Sequence, residues 1–302
     1  MIQHIAELQW ADSRRQAIPG FAEDFPYAAL EGCMDEYARR QTPWHWHEGV
    51  FEFVLVHAGE MDCCTHDGAF TLRAGDGCLI NAGVLHVYRA HEGMEGVRYS
   101  AQRFEIAAVA GTQRVVRQFV EPFAACMEIE ALPLRADGNE QERETLQIMQ
   151  TALQYAADEP AGWEMEISSA LARAWRRIWA LASPQTRPRK RRRNSMRPEN
   201  ARVKRMIAYM HEHFAEDLKL SAIAGDAGVC ATEGLRCFRQ EVDVTPIIFL
   251  TDVRLRHAAL MLRDSELSAT QIAAACGFSS VSYFGKVFHR YMDVPPSVYR
   301  GE

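Results

Sequence analysis

The chain is predicted to be an α+β protein of two domains, a β-barrel with accessory helices followed by an all-α domain in which one helix-turn-helix unit is used twice. Three observations in the 302 residues carry this prediction. Residues 40–106 are short apolar runs punctuated by glycines. The last hundred residues repeat one pattern at an offset of 49 to 50. Between these parts lies a stretch rich in arginine and proline.

Taken in order, the runs between 40 and 106 are rich in Val, Phe, Leu and Ile and are broken by Gly49, Gly59, Gly68, Gly75, Gly77, Gly83, Gly93 and Gly96. Short strands at close turn spacing argue for a sandwich or barrel. Two helical stretches follow, Glu140 to Ala157 and Glu164 to Ala182. In the second, Ile167, Leu171, Ala174, Trp175, Ile178 and Leu181 form one broad apolar stripe. Such a stripe serves either packing on the barrel or dimerisation. A homodimer is expected, with Leu171, Trp175 and Ile178 as its interface residues.

Residues 183–200 contain Pro184, Pro188, Pro198 and the run Arg189 to Arg193 without apolar periodicity, and are read as a basic flexible linker. The domains expected on either side are 1–182 and 201–302. Charge divides the same way. Residues 1–182 hold 15 Arg and no Lys against 27 acids, the linker 7 basic groups against 1 acid, and the last part 12 against 12. The acidic part should be repelled by phosphate, while the linker and the neutral part can approach it. No run of 18 apolar residues occurs, and the start lacks the layout of a signal peptide, so a cytoplasmic protein with no membrane partner is expected. The eight cysteines include no CxxC pair and fit reduced core thiols, with the adjacent Cys63 and Cys64 a weak redox or metal hint.

In the repeat, Ile223-Ala224, Gly228, Arg236, Phe238, Pro246 and Phe249 correspond to Ile272-Ala273, Gly277, Lys286, Phe288, Pro296 and Tyr299. Each copy reads as a helix, a glycine turn, a second helix and a proline-led exit. The glycine permits a positive φ, and the second helix suits a DNA major groove. The segment from Ile272-Ala273 through Gly277-Phe278, Tyr283-Phe284 and Val287-Phe288 to Pro296-Ser297-Val298-Tyr299-Arg300 resembles the C-terminal signature of AraC/XylS-type transcription regulators. The resemblance covers roughly 200–300 and implies two helix-turn-helix units joined by a long helix, Pro246 to Arg263. It implies recognition helices over Thr232–Gln240 and Ser280–Tyr291. Base-edge candidates are Thr232, Leu235 and Arg236 in the first, and Val281, Ser282, Gly285 and Lys286 in the second. Arg239, His289 and Arg290 would meet phosphates, and Phe238, Phe284, Val287 and Phe288 would be core. Two positions depart from the pattern: Gly234 stands for a core leucine and Cys230 for a capping serine.

In the first domain, His45-x-His47, Glu52 and Gly59 resemble the first cupin motif. Gly75, Gly83 and His86 resemble the second, with Asn81 in place of a proline and Ala90 in place of an asparagine. Residues two apart on a strand face the same side, so both imidazoles should enter the barrel. His45, His47, Glu52 and His86 are thus the candidate effector-binding residues. The same four could ligate Fe, Mn, Ni or Zn, and a divalent metal is the alternative occupant; satisfied core groups are the bland one.

The function these features imply is a sequence-specific transcription regulator that binds double-stranded DNA, responds to a small-molecule effector such as a sugar, and meets RNA polymerase if it activates. No enzyme activity is expected. The alternatives are a metal-dependent cupin enzyme, or a metal or redox sensor, fused to the DNA-binding module.

Overall fold

The computed structural model describes residues 3–4, 24–186 and 198–300, apart from 48, 127 and 293, and these divide into two compact units on either side of the basic stretch. Among the described residues the first unit contains nine strands: β1 Gln3–His4, β2 Tyr27–Cys33, β3 Val50–Ala58, β4 Glu60–Thr65, β5 Gly68–Arg73, β6 Gly77–Ile80, β7 Val87–Ala90, β8 Arg98–Glu105 and β9 Ala131–Leu134. They form a six-stranded sheet in the order β1-β2-β8-β3-β6-β9 and a three-stranded sheet β5-β4-β7.

Period-2 alternation gives the larger sheet two different faces. Leu30, Val54, Val56, Cys78, Ile80 and Ala101 face the smaller sheet and pack with Met61, Cys63, Leu72 and Tyr88. Phe51, Phe53, Leu55, Leu79 and Phe104 face the other way and pack on helices. Those helices are α1 Ile106–Val109, α2 Gln113–Val115, a π-helical turn Val116–Val120, α3 Glu121–Ala124, α4 Glu140–Asp158 and α5 Trp163–Thr186. Asn139 starts α4 with a reciprocal capping box to Glu142. Gln102 on β8 donates to the Met149 carbonyl on α4 at 3.0 Å, adding a polar tie to the apolar one.

Two expectations are corrected in this unit. Leu171, Trp175 and Ile178 are only 1–3% exposed within this one chain, packed with Phe51 and Phe123. The barrel has claimed the stripe, so these residues are not available as a dimer interface. The linker also begins later and ends earlier than 183–200, because α5 runs on to Thr186 and the next helix starts at Pro198. Proline is tolerated at a first helical position because its missing N–H is unpaired there anyway. Residues 187–197, including the Arg189 to Arg193 run, lie outside the described residues.

The second unit is helical: α6 Pro198–Glu212, α7 Leu220–Asp226, α8 Ala231–Val242, α9 Pro246–Asp264, α10 Ala269–Ala275, α11 Val281–Met292 and α12 Pro296–Arg300. The pairs α7–α8 and α10–α11 are the two helix-turn-helix units, with turns at Gly228 (φ 73°) and Gly277 (φ 74°). Helix α9 joins them, and its Arg254 donates to the Phe214 and Glu216 carbonyls at 2.7 and 2.6 Å. Gly277 packs on the same loop, since a Cβ there would lie 2.7 Å from the Phe214 oxygen. Gly234 is explained likewise, because a Cβ would stand 2.6 Å from that of Ala224. The small residue lets α8 lie closer to α7 than a leucine would allow.

Candidate effector pocket and nucleic-acid interface

His45 and His86 oppose each other in an isolated antiparallel bridge, exchanging backbone hydrogen bonds of 3.0 and 2.9 Å. The chain around His45 and His47 is held by this bridge and by Gly83 N–H donating to the His47 carbonyl at 2.8 Å, instead of by the continuous strand expected. The imidazoles still converge, with ring centroids 5.2 Å apart for His45 and His47 and 4.1 Å for His45 and His86. Glu52 enters from β3 on the face of Val54 and Val56. All four candidates are 1–4% exposed, and one potential ligand atom from each lies within 4.8 Å of the others.

The Glu52 carboxylate is saturated. Oε1 accepts from the Tyr88 hydroxyl at 2.7 Å and faces His86 Nε2 at 3.2 Å, while Oε2 accepts from Arg103 Nε at 2.5 Å and faces His47 Nε2 at 2.9 Å. Burial alone would push this carboxyl up, but the Arg103 guanidinium and the two imidazole hydrogen bonds outweigh it and hold it well below the usual carboxylate range. Burial, then Arg103, lowers His47 to about 4. Burial, then His86, takes His45 well below its ordinary value. Both of those rings are therefore neutral at pH 7.

Neutral rings fix the tautomers. His45 Nδ1 donates to the Pro43 carbonyl at 2.8 Å, which leaves a lone pair on Nε2. His47 Nε2–H donates to the ionised Glu52, which leaves a lone pair on Nδ1. Among the described residues both of these nitrogens, and Arg103 Nη1, are buried without a hydrogen-bond partner. His86 faces acceptors at both nitrogens, the Val84 carbonyl at 2.8 Å and Glu52 at 3.2 Å. Arg103 and Tyr88 were not among the sequence candidates. A signal existed for Tyr88, which stands two residues beyond His86, but not for Arg103, whose cross-strand pairing with Glu52 on β8 only the fold reveals. Asn81, in the proline position, uses its side-chain amide to reach the Phe123, Cys126 and Ile129 carbonyls at 3.0–3.3 Å and so pins the segment before β9.

On the second unit, Phe238, Phe284 and Phe288 are fully buried and Val287 half-buried, which turns the opposite faces of α8 and α11 outward. Thr232, Arg236 and Arg239 are exposed and Leu235 half-buried on α8. Val281, Ser282, Lys286, His289 and Arg290 are exposed and Gly285 half-buried on α11. The two helices differ in how their cations are held. Arg236 is bidentate to Glu233 at 2.9 and 2.7 Å and donates to Gln240 at 2.6 Å. Lys286 has no side-chain partner among the described residues. Their caps differ too: Ser280 accepts from the Tyr283 N–H at 3.3 Å and Ser268 caps α10, whereas Cys230 and Lys219 make no capping bond for α8 and α7.

A barrel holding a buried polar cluster and a duplicated helix-turn-helix unit define a DNA-binding protein with a ligand-binding domain. Residues 27–134 match the family described as AraC-like ligand binding domain, and residues 223–302 match the helix-turn-helix domain family. Together these cover more than half of the chain, which belongs to the AraC family of transcription regulators. It is 24% identical over 282 residues to the HTH-type transcriptional regulator YdeC of Bacillus subtilis, covering 92% of each chain. Over 96 residues it is 33% identical to the transcriptional activator RhaS of Shigella boydii, covering 32% of this chain and 34% of that one. An apo form of ToxT from Vibrio cholerae aligns over 91% of this chain and 97% of its own, at 11% identity and a TM-score of 0.48. Among the described residues no helix is long and apolar enough to cross a membrane.

Proposed function

We propose that this regulator binds a small, neutral, hydroxyl-bearing effector directly in the barrel, at His45, His47, Glu52 and His86 with Arg103 and Tyr88 completing the set. The observation that carries the reading is the trio of buried polar atoms left unpaired around a saturated carboxylate: lone pairs on His45 Nε2 and His47 Nδ1, and an N–H on Arg103 Nη1. Native interiors pair nearly all such atoms. A hydroxyl both donates and accepts, so two hydroxyls, each donating to one imidazole lone pair and one of them accepting from the Arg103 N–H, complement the trio, and a sugar offers several.

The donor types also suit a divalent metal, and His45 and His86 each anchor Nδ1 on a backbone carbonyl as metal-binding histidines do. Two features weigh against it. Tetrahedral ligand atoms about 2.1 Å from an ion sit about 3.4 Å apart, whereas this set spreads to 4.8 Å. The Arg103 guanidinium also occupies the carboxylate that a cation would need. We therefore read the chain as a regulator and not as a cupin enzyme or metal sensor.

At the DNA, Arg236 and Lys286 carry the hydrogen-bonded base readout, supported by Thr232, Leu235, Val281, Ser282 and Gly285. Arg239, His289 and Arg290 hold phosphates. Action as a cytoplasmic homodimer through the first unit supplies four recognition helices and two half-sites. RNA polymerase is a further partner if the protein activates. The test combines metal analysis of purified protein with operator titrations of His47→Ala. The reading requires substoichiometric metal, retained operator affinity and loss of the effector response. A metal held at one per chain, or a variant that responds normally, overturns it.

A further inference from the structure

A cavity of about 420 Å³ lies between α5 and the segment that runs from the end of α1 through the π-helical turn. Its wall follows from a broken helix. Helix α1 stops at Val109, Gly111 and Thr112 interrupt, and the chain resumes through α2 into a wide π turn, a geometry frequent beside functional sites. Val109, Val115, Phe119, Trp175 and Trp179 make the lining apolar. The Trp175 indole N–H is already spent on the Phe119 carbonyl at 3.0 Å, and Phe119 meets Trp179 edge-on at 5.6 Å. Buried Trp175 closes the inner end, while exposed Arg176 stands on the solvent side. The volume falls within the range in which small molecules are held.

Charge selects the occupant. The two walls, 109–120 and 172–179, carry Arg114, Arg117, Arg173, Arg176 and Arg177 and no acid, inside a half of the chain where acids far outnumber arginines. Of these five, Arg177 is paired with Glu144. Arg176, the charged residue that lines the cavity, has no side-chain partner among the described residues.

We propose that this cavity is a second ligand site, for a compact molecule with an apolar body and one carboxylate, the body on Phe119 and Trp179 and the carboxylate on Arg176. It stands apart from the histidine cluster, although Trp175 contacts Phe51 at 4.8 Å, the residue next to Glu52, so the two sites share a wall.

The experiment is calorimetric titration of the full chain with octanoate and with octan-1-ol. Wild type should bind octanoate more tightly. Arg176→Gln should lose roughly tenfold for octanoate and nothing for the alcohol, as removal of one charge-assisted contact implies. Ala172→Trp, at an exposed lining position on α5, should fill the cavity and abolish both, with its melting curve checked for folding. If that variant does not fold, the Arg176→Gln comparison still decides. His47→Ala should bind octanoate as wild type does, which separates this site from the barrel site. The proposal is overturned if wild type binds neither probe, if the alcohol binds as tightly as the acid, or if Ala172→Trp binds as wild type does. It also fails if wild type is a dimer that Ala172→Trp dissociates and octanoate does not bind, since the occupant would then be a second copy.

Discussion

The pH behaviour of the barrel rests on individual side chains. His47 is held to about 4 in the folded state, against about 6.5 unfolded. A histidine kept neutral by the fold contributes stability that is complete above the unfolded value and is lost as pH falls from 6.5 towards 4, here on the order of 3 kcal/mol. His45 and Glu52 are both shifted down and act with the same sign. The melting temperature of the first unit should therefore fall as pH drops from 7 to 4, and His47→Gln should flatten that dependence. An unchanged slope in the variant would contradict the assignment. On α11, Lys286→Ala should cost about 1–3 kcal/mol on cognate DNA and much less on random sequence at the same salt, read by fluorescence anisotropy. Arg236→Ala should cost less, because Arg236 must first leave Glu233 and Gln240. His45, His47 and Glu52 were legible in the sequence because they fall in one local motif, and His86 because it falls in a second. Arg103 was not, because it reaches Glu52 through a pairing of strands 51 residues apart that no local pattern records.

Helices differ in what their ends and faces contribute. The second helix-turn-helix unit has capped helices and the first does not, so Cys230→Ser, which supplies the missing cap to α8 of the first, should stabilise the helical domain by about 0.5–1 kcal/mol. Gly228 and Gly277 share a positive φ, but only Gly277 is pressed against neighbouring backbone. In thermal melts Gly277→Ala should thus be clearly more damaging than Gly228→Ala, whose cost is confined to backbone strain. The repeat made both turns legible, since it marks where glycine is needed; the crowding at Gly277 comes from a loop more than 60 residues earlier and leaves no trace in the repeat. The apolar stripe of α5 was legible too, but its partner was not, because periodicity shows that a face is buried and not what buries it. Trp175→Ala should cost about 3–5 kcal/mol and leave the oligomeric state unchanged in sedimentation, the reverse of what an interface residue would do.

For the whole molecule, charge and architecture agree. The first unit carries the excess of acids, which phosphate would repel, while α8 and α11 of the second turn polar faces outward, and the buried histidine cluster lies in the first unit. Direct occupancy of that cluster is open to ligand-induced stabilisation, because a ligand that binds only the folded state raises its melting temperature. The decisive measurement is a thermal-shift screen of wild type and His47→Ala against neutral polyhydroxylated compounds, with chelator present in both. A compound should raise the melting temperature of wild type and leave the variant unmoved. A compound that raises both equally, or a shift that chelator abolishes, would contradict it.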